Sequence, residues 1–391
     1  MKALKSMRLH IGIFGKANVG KSSLLNRISN QSISIVSEIA GTTTDVVEKS
    51  MELLPIGPVT FLDTAGLDDK TELAEKRVEK TMKVINRCDV GVIVCDFNGI
   101  GKYEKDLIKI FDELKIPYLV LVNKCDVKKP DIEGFKNILY TSVKSDKDIV
   151  FRFKEALVRL LPEDFVNPPK IVGDLVSEKD TVILVVPIDK EAPKGRIILP
   201  QVQTIRDLLD SNCLAYVVKE TELKDAIENL KQPPALVVTD SQAFKKVSEI
   251  VPEDIPLTSF SILFARLKGD LDEFVKGSSA IENLKDGDKV LILESCTHHA
   301  IEDDIGRVKI PNLLKQKTGK NLVIENYAGH DFPDISSYQL IIHCGACMTN
   351  RREVLSRILI ANEKNIPITN YGVVISYCLG ILPRAVRIFE R

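Results

Sequence analysis

An α/β fold in three domains is what the sequence predicts: a P-loop nucleotide-binding domain followed by two smaller parallel-sheet α/β domains. Apolar runs rich in Val and Ile alternate with amphipathic stretches along the chain, the pattern of buried parallel strands joined by helices. The first of these runs leads straight into a GxxxxGKS sequence. Proline and glycine clusters interrupt the alternation twice. The 391 residues correspond to about two and a half domains at roughly 150 residues each.

The first series has candidate strands from Leu9 to Phe14, Val46 to Leu53, Val59 to Asp63, Val90 to Cys95, Pro117 to Asn123 and Ile138 to Thr141. The stretches between them carry helical periodicity. Pro162, Pro168 and Pro169 then break any helix, because proline removes a donor and restricts the residue before it. The first domain is therefore read as residues 1–168. A second series follows, with strands from Thr181 to Val186, Ala215 to Val218 and Ala235 to Thr239. Helices are expected over LPQVQTIRDLLDSN, from Glu220 and from Ser241. The polar, glycine-containing GDLDEFVKGSSAIENLKDGD opens at Gly269, which divides the rest into domains of residues 169–268 and 269–391. The third series places strands at Val290 to Leu293, Asn321 to Ile324, Gln339 to Ile342 and Ile366 to Thr369. No short repeat is evident.

Lys plus Arg (54) nearly cancels Asp plus Glu (55), for a net charge of −1. No global positive field exists to attract nucleic acid or an anionic membrane, so neither is expected as a partner. No run approaches the roughly 18 apolar residues of a membrane helix, and the N-terminus reads as a first strand rather than a signal peptide. A cytoplasmic protein is expected. Eight cysteines are too sparse for a disulfide scaffold. Cys88, Cys95, Cys125, Cys213 and Cys378 lie in apolar or strand-like contexts and read as small packed hydrophobes. Cys296, Cys344 and Cys347 keep different company.

Gly15, Lys16, Ala17, Asn18, Val19, Gly20, Lys21 and Ser22 spell GxxxxGKS between a strand and a helical pattern, with Ser23 next. The glycines let backbone N–H groups wrap phosphate oxygens and the helix N-terminus adds its dipole; Lys21 supplies a cation and Ser22 a Mg²⁺ ligand. Asp63 and Gly66 of DTAG follow another strand, where the carboxylate can hold the Mg²⁺ shell and the glycine amide can sense the γ-phosphate. Thr43, within GTTTD, is the candidate to complete that shell. Asn123, Lys124 and Asp126 of NKCD end the Pro117 strand. The Asp126 carboxylate suits a purine edge with two adjacent N–H donors, which guanine has and adenine lacks. The first domain is therefore expected to be a P-loop GTPase domain, with GTP and Mg²⁺ as its ligands. Thr141 and Ser142 stand where a backbone amide would meet the guanine oxygen.

Motifs in this order resemble the translation-factor class of GTPases, and GTTTD with NVGKSS resembles its Era and TrmE-like branch over residues 8–161. Leu67 stands where Ras-like proteins carry a water-orienting glutamine, so hydrolysis must be organised otherwise. Asn18 matches the P-loop asparagine with which TrmE-like relatives hold K⁺, and the resemblance implies K⁺ stimulation. The other reading of Asn18 is that it closes the loop turn. Glu75, in TELAEKR, is the candidate to position water from the second switch.

Cys296, Thr297 and His298 follow the run VLIL, and His343, Cys344 and Cys347 follow or end LIIH. Both clusters sit at C-terminal strand ends, the edge of an open parallel sheet where ligand sites form. Three thiolates with nearby imidazoles suit Zn²⁺ or an iron–sulfur cluster, and the CxxC spacing does not choose between them. His298 and His343 are candidates for a fourth ligand or for support of the ligands.

Together, CTH at Cys296, HCGAC at His343 and the G motifs resemble the HydF family of FeFe-hydrogenase maturation GTPases over the whole chain. That resemblance implies a 4Fe-4S cluster on Cys296, Cys344 and Cys347, and a role as scaffold or carrier of a diiron precursor. It further implies apo FeFe-hydrogenase and the radical-SAM maturation enzymes as partners. Dimerisation, or a higher oligomer, would run through the middle domain. That domain carries no catalytic motif, and an exposed sheet edge in it can pair with a second copy. The alternative reading is an RNA- or ribosome-associated GTPase with a C-terminal structural zinc site. A redox enzyme ranks below both, because no flavin or dinucleotide fingerprint accompanies the cysteines.

Overall fold

The structure, a computed structural model, describes residues 8–31, 37–39, 47–64, 74–132, 134–135, 137–167, 169–188, 195, 197–294, 304–329, 332–346 and 349–390. The chain divides into two compact units, 1–168 and 169–391.

The first unit is built on a seven-stranded sheet of order β2-β3-β4-β1-β5-β6-β7. Its strands are β1 (Leu9–Phe14), β2 (Ser37–Ile39), β3 (Val47–Leu53), β4 (Gly57–Asp63), β5 (Val90–Cys95), β6 (Tyr118–Val122) and β7 (Ile138–Tyr140). Its helices are α1 (Lys21–Gln31), α2 (Ala74–Ile85), α3 (Lys102–Glu113), α4 (Ile149–Val158) and α5 (Glu163–Val166). Every residue of β1 and β5 is buried, because apolar clusters cover both faces of the sheet. Double coverage is why β5 reads as an unbroken apolar run and β1 as one interrupted by the buried His10. The parallel pattern holds for β4, β1, β5, β6 and β7, but β3 runs antiparallel to β4 and β2 antiparallel to β3. The three residues joining β3 to β4 are too few for the crossover a parallel pair needs.

The second unit holds two four-stranded, all-parallel sheets. The first comprises β8 (Thr181–Val185), β9 (Leu214–Val218), β10 (Leu236–Thr239) and β11 (Leu257–Ser259), in the order β11-β10-β8-β9. Its helices are α6 (Leu199–Asp210), α7 (Leu223–Glu228), α8 (Phe244–Ile250), α9 (Phe260–Lys268) and α10 (Leu271–Ser278). The second sheet comprises β12 (Lys289–Glu294), β13 (Val323–Ala328), β14 (Leu340–His343) and β15 (Ile368–Asn370), in the order β13-β12-β14-β15. With it come α11 (Ile310–Thr318), α12 (Arg351–Glu363), α13 (Tyr371–Cys378) and α14 (Leu382–Val386).

The two sheets repeat one topology. In each, the second strand lies on one side of the first, and the third and fourth lie on the other. In each, the fourth strand runs straight into a helix whose N-cap side chain, Ser259 or Asn370, accepts a backbone N–H. The halves exchange their next helices: α10 packs on β15 and α14 on β11. Thr369 Oγ1 donates to Phe274 O at 2.8 Å, and Arg384 on α14 donates to Ser248 O, Val251 O and Pro252 O at the end of α8. One apolar cluster accordingly takes in Ile183 and Phe244 from one half and Leu291 and Ile341 from the other.

The exchange depends on a close approach at Gly277, where an added Cβ would lie 1.9 Å from the Ile368 carbonyl oxygen. Gly277→Ala is expected to push α10 off β15 and cost about 2–3 kcal/mol. Calorimetric unfolding of the full chain would register this as a lower transition temperature, and an unchanged one would contradict the packing.

Cys88, Cys95 and Cys213 are buried. Burial pushes the Cys95 thiol up to about 12 and the half-buried Cys378 thiol up to about 11, which keeps both protonated and inert. Among the described residues, no helix is long and apolar enough to cross a membrane.

Candidate nucleotide site and cysteine-bearing sheet edge

The P-loop leaves β1 through Gly15, whose φ is +145° and whose added Cβ would lie 2.2 Å from Val94 O. Gly20, at φ +107°, would meet Asn123 Nδ2 at 2.2 Å. No side chain fits either position. Asn18 between them is left-handed at φ +64°, a conformation asparagine tolerates better than most residues. Lys21 is buried as the first residue of α1, and its Nζ donates to Gly15 O at 2.5 Å and Lys16 O at 2.9 Å. The loop is thus curled around its own ammonium, with the orphan N–H groups of α1 beneath it. Lys16, Ala17, Ser22 and Ser23 stand exposed around this turn. Lys16 pairs with the buried Glu104 at 3.2 Å, and Glu104 also accepts from Gly101 N at 2.9 Å, tying the loop to the start of α3.

Asn123 acts as a keystone. Its Nδ2 donates to Val19 O at 2.8 Å, while its Oδ1 accepts from Lys124 N at 2.8 Å and Val143 N at 2.9 Å. One buried side chain therefore joins the P-loop, the NKCD segment and the loop after β7. Lys124 Nζ adds a bond of 2.7 Å to Asn18 O. The exposed Asp126 carboxylate accepts from Ser142 Oγ at 2.5 Å, and that bond lowers its pKa below the ordinary carboxylate value. A fixed, ionised carboxylate is what recognition of paired N–H donors requires. Thr141 Oγ1 donates to Asp146, which in turn pairs with Arg152. Neither the Asp146–Arg152 brace nor the bond from the Ser142 hydroxyl is readable in the sequence, since short polar residues in a loop carry no spacing signal. Asp63 ends β4 in register with Ile13 of β1, at the same sheet edge as the loop. Thr43, Gly66 and Leu67, and the side chain of Glu75 on α2, lie outside the described residues.

In the last sheet, β12 and β14 are neighbours, with Leu293 in register with His343. The strand order reverses between them, so this is the topological switch point, the place at the carboxyl edge of an open parallel sheet where ligand sites form. Cys296 and His298 follow β12 by a few residues and, like Cys347, lie outside the described residues. Cys344 follows β14 and is half-buried. Its N–H donates to Leu293 O at 2.9 Å. Its carbonyl accepts from His343 Nδ1 at 2.8 Å and from Asn370 Nδ2 at 3.2 Å. His343 is fully buried, and its Nε2 accepts from Arg357 Nη1 at 2.8 Å. Burial and the neighbouring guanidinium push the imidazole pKa down to about 4. Both ring nitrogens are engaged within the protein. Among the described residues, no group of three His, Cys, Asp or Glu side chains converges as a metal site.

Fold and loop together define a P-loop GTPase domain joined to two parallel-sheet α/β domains. Residues 10–124 match the 50S ribosome-binding GTPase model. Residues 171–269 match the hydrogen maturase F dimerization domain, and residues 272–388 its tetramerization domain. The chain belongs to the hydrogen maturase F family.

Curated relatives are similar to the G domain. The tRNA modification GTPase MnmE of Caldicellulosiruptor saccharolyticus is 34% identical over 175 residues, 42% of this chain and 37% of that protein. GTPase Der of Campylobacter hominis is 30% identical over 190 residues, 43% of this chain and 40% of that protein. The chain spans about two fifths of the length of these relatives. Among solved structures, a single-substitution variant of Aquifex aeolicus Era bound to GDP and AlF4⁻ aligns at 19% identity, covering 54% of this chain and 93% of that one, with a TM-score of 0.32.

Proposed function

We propose that this protein is a GTP-hydrolysing scaffold that carries a 4Fe-4S cluster on Cys296, Cys344 and Cys347 and hands a diiron precursor to apo FeFe-hydrogenase. The observation that carries the reading is the pairing of two hydrogen maturase F domains with a cysteine at the switch point of the second. The donor set fits: three thiols follow adjacent strands, and Cys344 among them is half-buried, with its peptide group fixed on both sides. When bound, a cluster on three cysteines leaves one iron open to an exchangeable ligand, the chemistry a docking platform for the diiron cargo needs. The protein's own part is to hold the thiols at an accessible sheet edge and to regulate contact with the radical-SAM enzymes and the hydrogenase through the G domain. Lys21 and the N-terminus of α1 hold the phosphates, Ser22 and Thr43 complete the Mg²⁺ shell beside Asp63, and Asp126 reads guanine. Activation of apo-hydrogenase by the protein loaded with precursor tests this. Activation that Cys344→Ala abolishes is expected; equal activation by that variant would overturn the reading.

Asn18 serves K⁺ in this account, as well as closing its turn. GTP turnover is expected to rise about tenfold in KCl over NaCl, equivalent to about 1.4 kcal/mol of transition-state stabilisation. Equal rates in the two salts would leave Asn18 with the turn alone.

Homodimerisation runs through the open edge of β9, whose one neighbour among the described residues of the sheet is β8. Leu214, Tyr216 and Val217 on it are 59%, 40% and 41% exposed. Unpaired edge N–H groups flanked by apolar side chains template pairing with a second copy, which brings like residues together across the two-fold. Tyr216→Glu sets like charges against each other there, and the dimer dissociation constant is expected to rise about 100-fold or more. Light scattering over a concentration series would detect it; an unchanged mass would move the interface elsewhere.

A further inference from the structure

The repeated topology supplies an internal control for the groups behind Cys344. His343 pairs with Leu293 and Asn370 as Thr239 of the sister sheet pairs with Val185 and Ser259, so the two positions correspond. The helix after Thr239, α8, buries Phe244 and Val247 and keeps Lys245, Lys246 and Glu249 in solvent. The helix after His343, α12, instead buries Glu353 and Arg357, at 4% and 2% exposure. This fold therefore forms without buried charge at that place, and burying an ion pair carries a desolvation cost. Among the described residues, Arg357 Nε is buried and has no hydrogen-bond partner.

What the charge achieves is visible in the bonds. Arg357 Nη1 donates to His343 Nε2 at 2.8 Å, and Nη2 donates to Glu353 Oε1 at 2.8 Å and Gly329 O at 2.9 Å. Because Nε2 accepts, the His343 proton lies on Nδ1, from which it is donated to the Cys344 carbonyl. We propose that Glu353 and Arg357 are positioning residues for the Cys344 thiol, acting through the tautomer and orientation of His343. His343 is then a strut beneath the ligand loop rather than a ligand, and α12 sets the direction in which the thiol leaves the sheet edge. The inference rests on the reading of Cys344 as a cluster ligand, and groups that orient a ligand govern both cluster retention and its electronic signature.

The test uses the full-length protein reconstituted with iron and sulfide without oxygen. The variants are E353Q/R357M, which removes both charges together, His343→Ala, and His343→Asn, which keeps a donor near the Nδ1 position. Resistance of the cluster to a chelator and the EPR spectrum of its reduced form are the readouts; because the varied residues lie in the unit 169–391, the calorimetric transition and far-UV circular dichroism of the full chain report folding. For E353Q/R357M and His343→Ala, retention about tenfold weaker or worse and an altered EPR line shape are expected, with the far-UV spectrum unchanged. His343→Asn is expected to restore both. If E353Q/R357M does not fold, Arg357→Lys, which keeps the charge and loses the fork, is expected to alter the line shape in its place. An unchanged spectrum in the folded variants would overturn the proposal. So would loss of a histidine nitrogen coupling in His343→Asn, which would make His343 a ligand. A full, unaltered cluster in Cys344→Ala would instead remove the ligand reading itself.

Discussion

Asp126→Asn is expected to weaken GTP binding by about 10³-fold or more and to favour xanthine nucleotides in return. The exposed carboxylate offers two acceptors, oriented by the Ser142 hydroxyl at 2.5 Å. An asparagine offers one acceptor and one donor, so against guanine a donor meets a donor. Xanthine, with a carbonyl at C2, matches the changed edge. Ser142→Ala removes only the orienting bond and is expected to cost about 1 kcal/mol, close to fivefold in affinity. Competition titrations with GTP, xanthosine triphosphate and ATP would separate the two effects. Unchanged GTP affinity in Asp126→Asn would place the base elsewhere.

Lys21→Ala is expected to lower GTP turnover by about 10³-fold. The ammonium is held by two loop carbonyls, Gly15 O and Lys16 O, so it is pre-positioned inside the curl of the loop. Its removal takes the charge from the phosphate site and leaves those carbonyls without their donor. Single-turnover hydrolysis at saturating GTP isolates the chemical step. A rate within a few-fold of the parent would mean the loop does not cradle the phosphates.

The nucleotide site is legible because its groups come in short motifs with fixed strand and helix context, and the structure brings Gly15, Lys21, Asp63, Asn123 and Asp126 to one edge of the sheet. The role of Asn123 is not legible. Its side chain is spent on joining three loops, which NKCD spacing cannot reveal. The apolar pattern puts strand β13 at Asn321 to Ile324, whereas it spans Val323–Ala328. It is an edge strand with no buried side chain, and Glu325 and Asn326 interrupt its apolar residues, so it lacks an apolar run to mark its length. The strands β2 and β11, SEI and LTS, each hold a single apolar residue and so carry no apolar run to mark them. The duplicated topology left no repeat because equivalent positions carry different chemistry, Thr239 in one half and His343 in the other. Glu353 and Arg357 sit at i,i+4, a spacing that reads as an ordinary surface pair on a helix; only the packing shows both buried.

We propose that a cluster on Cys296, Cys344 and Cys347 makes this GTPase a maturation scaffold. Metal and sulfide analysis with optical and EPR spectra, on protein purified and reconstituted without oxygen beside the triple alanine variant, tests it most directly. About four iron and four sulfide per chain, lost in the variant, is the predicted result. Stoichiometric zinc that iron does not replace would contradict it and turn the last domain into a structural zinc module.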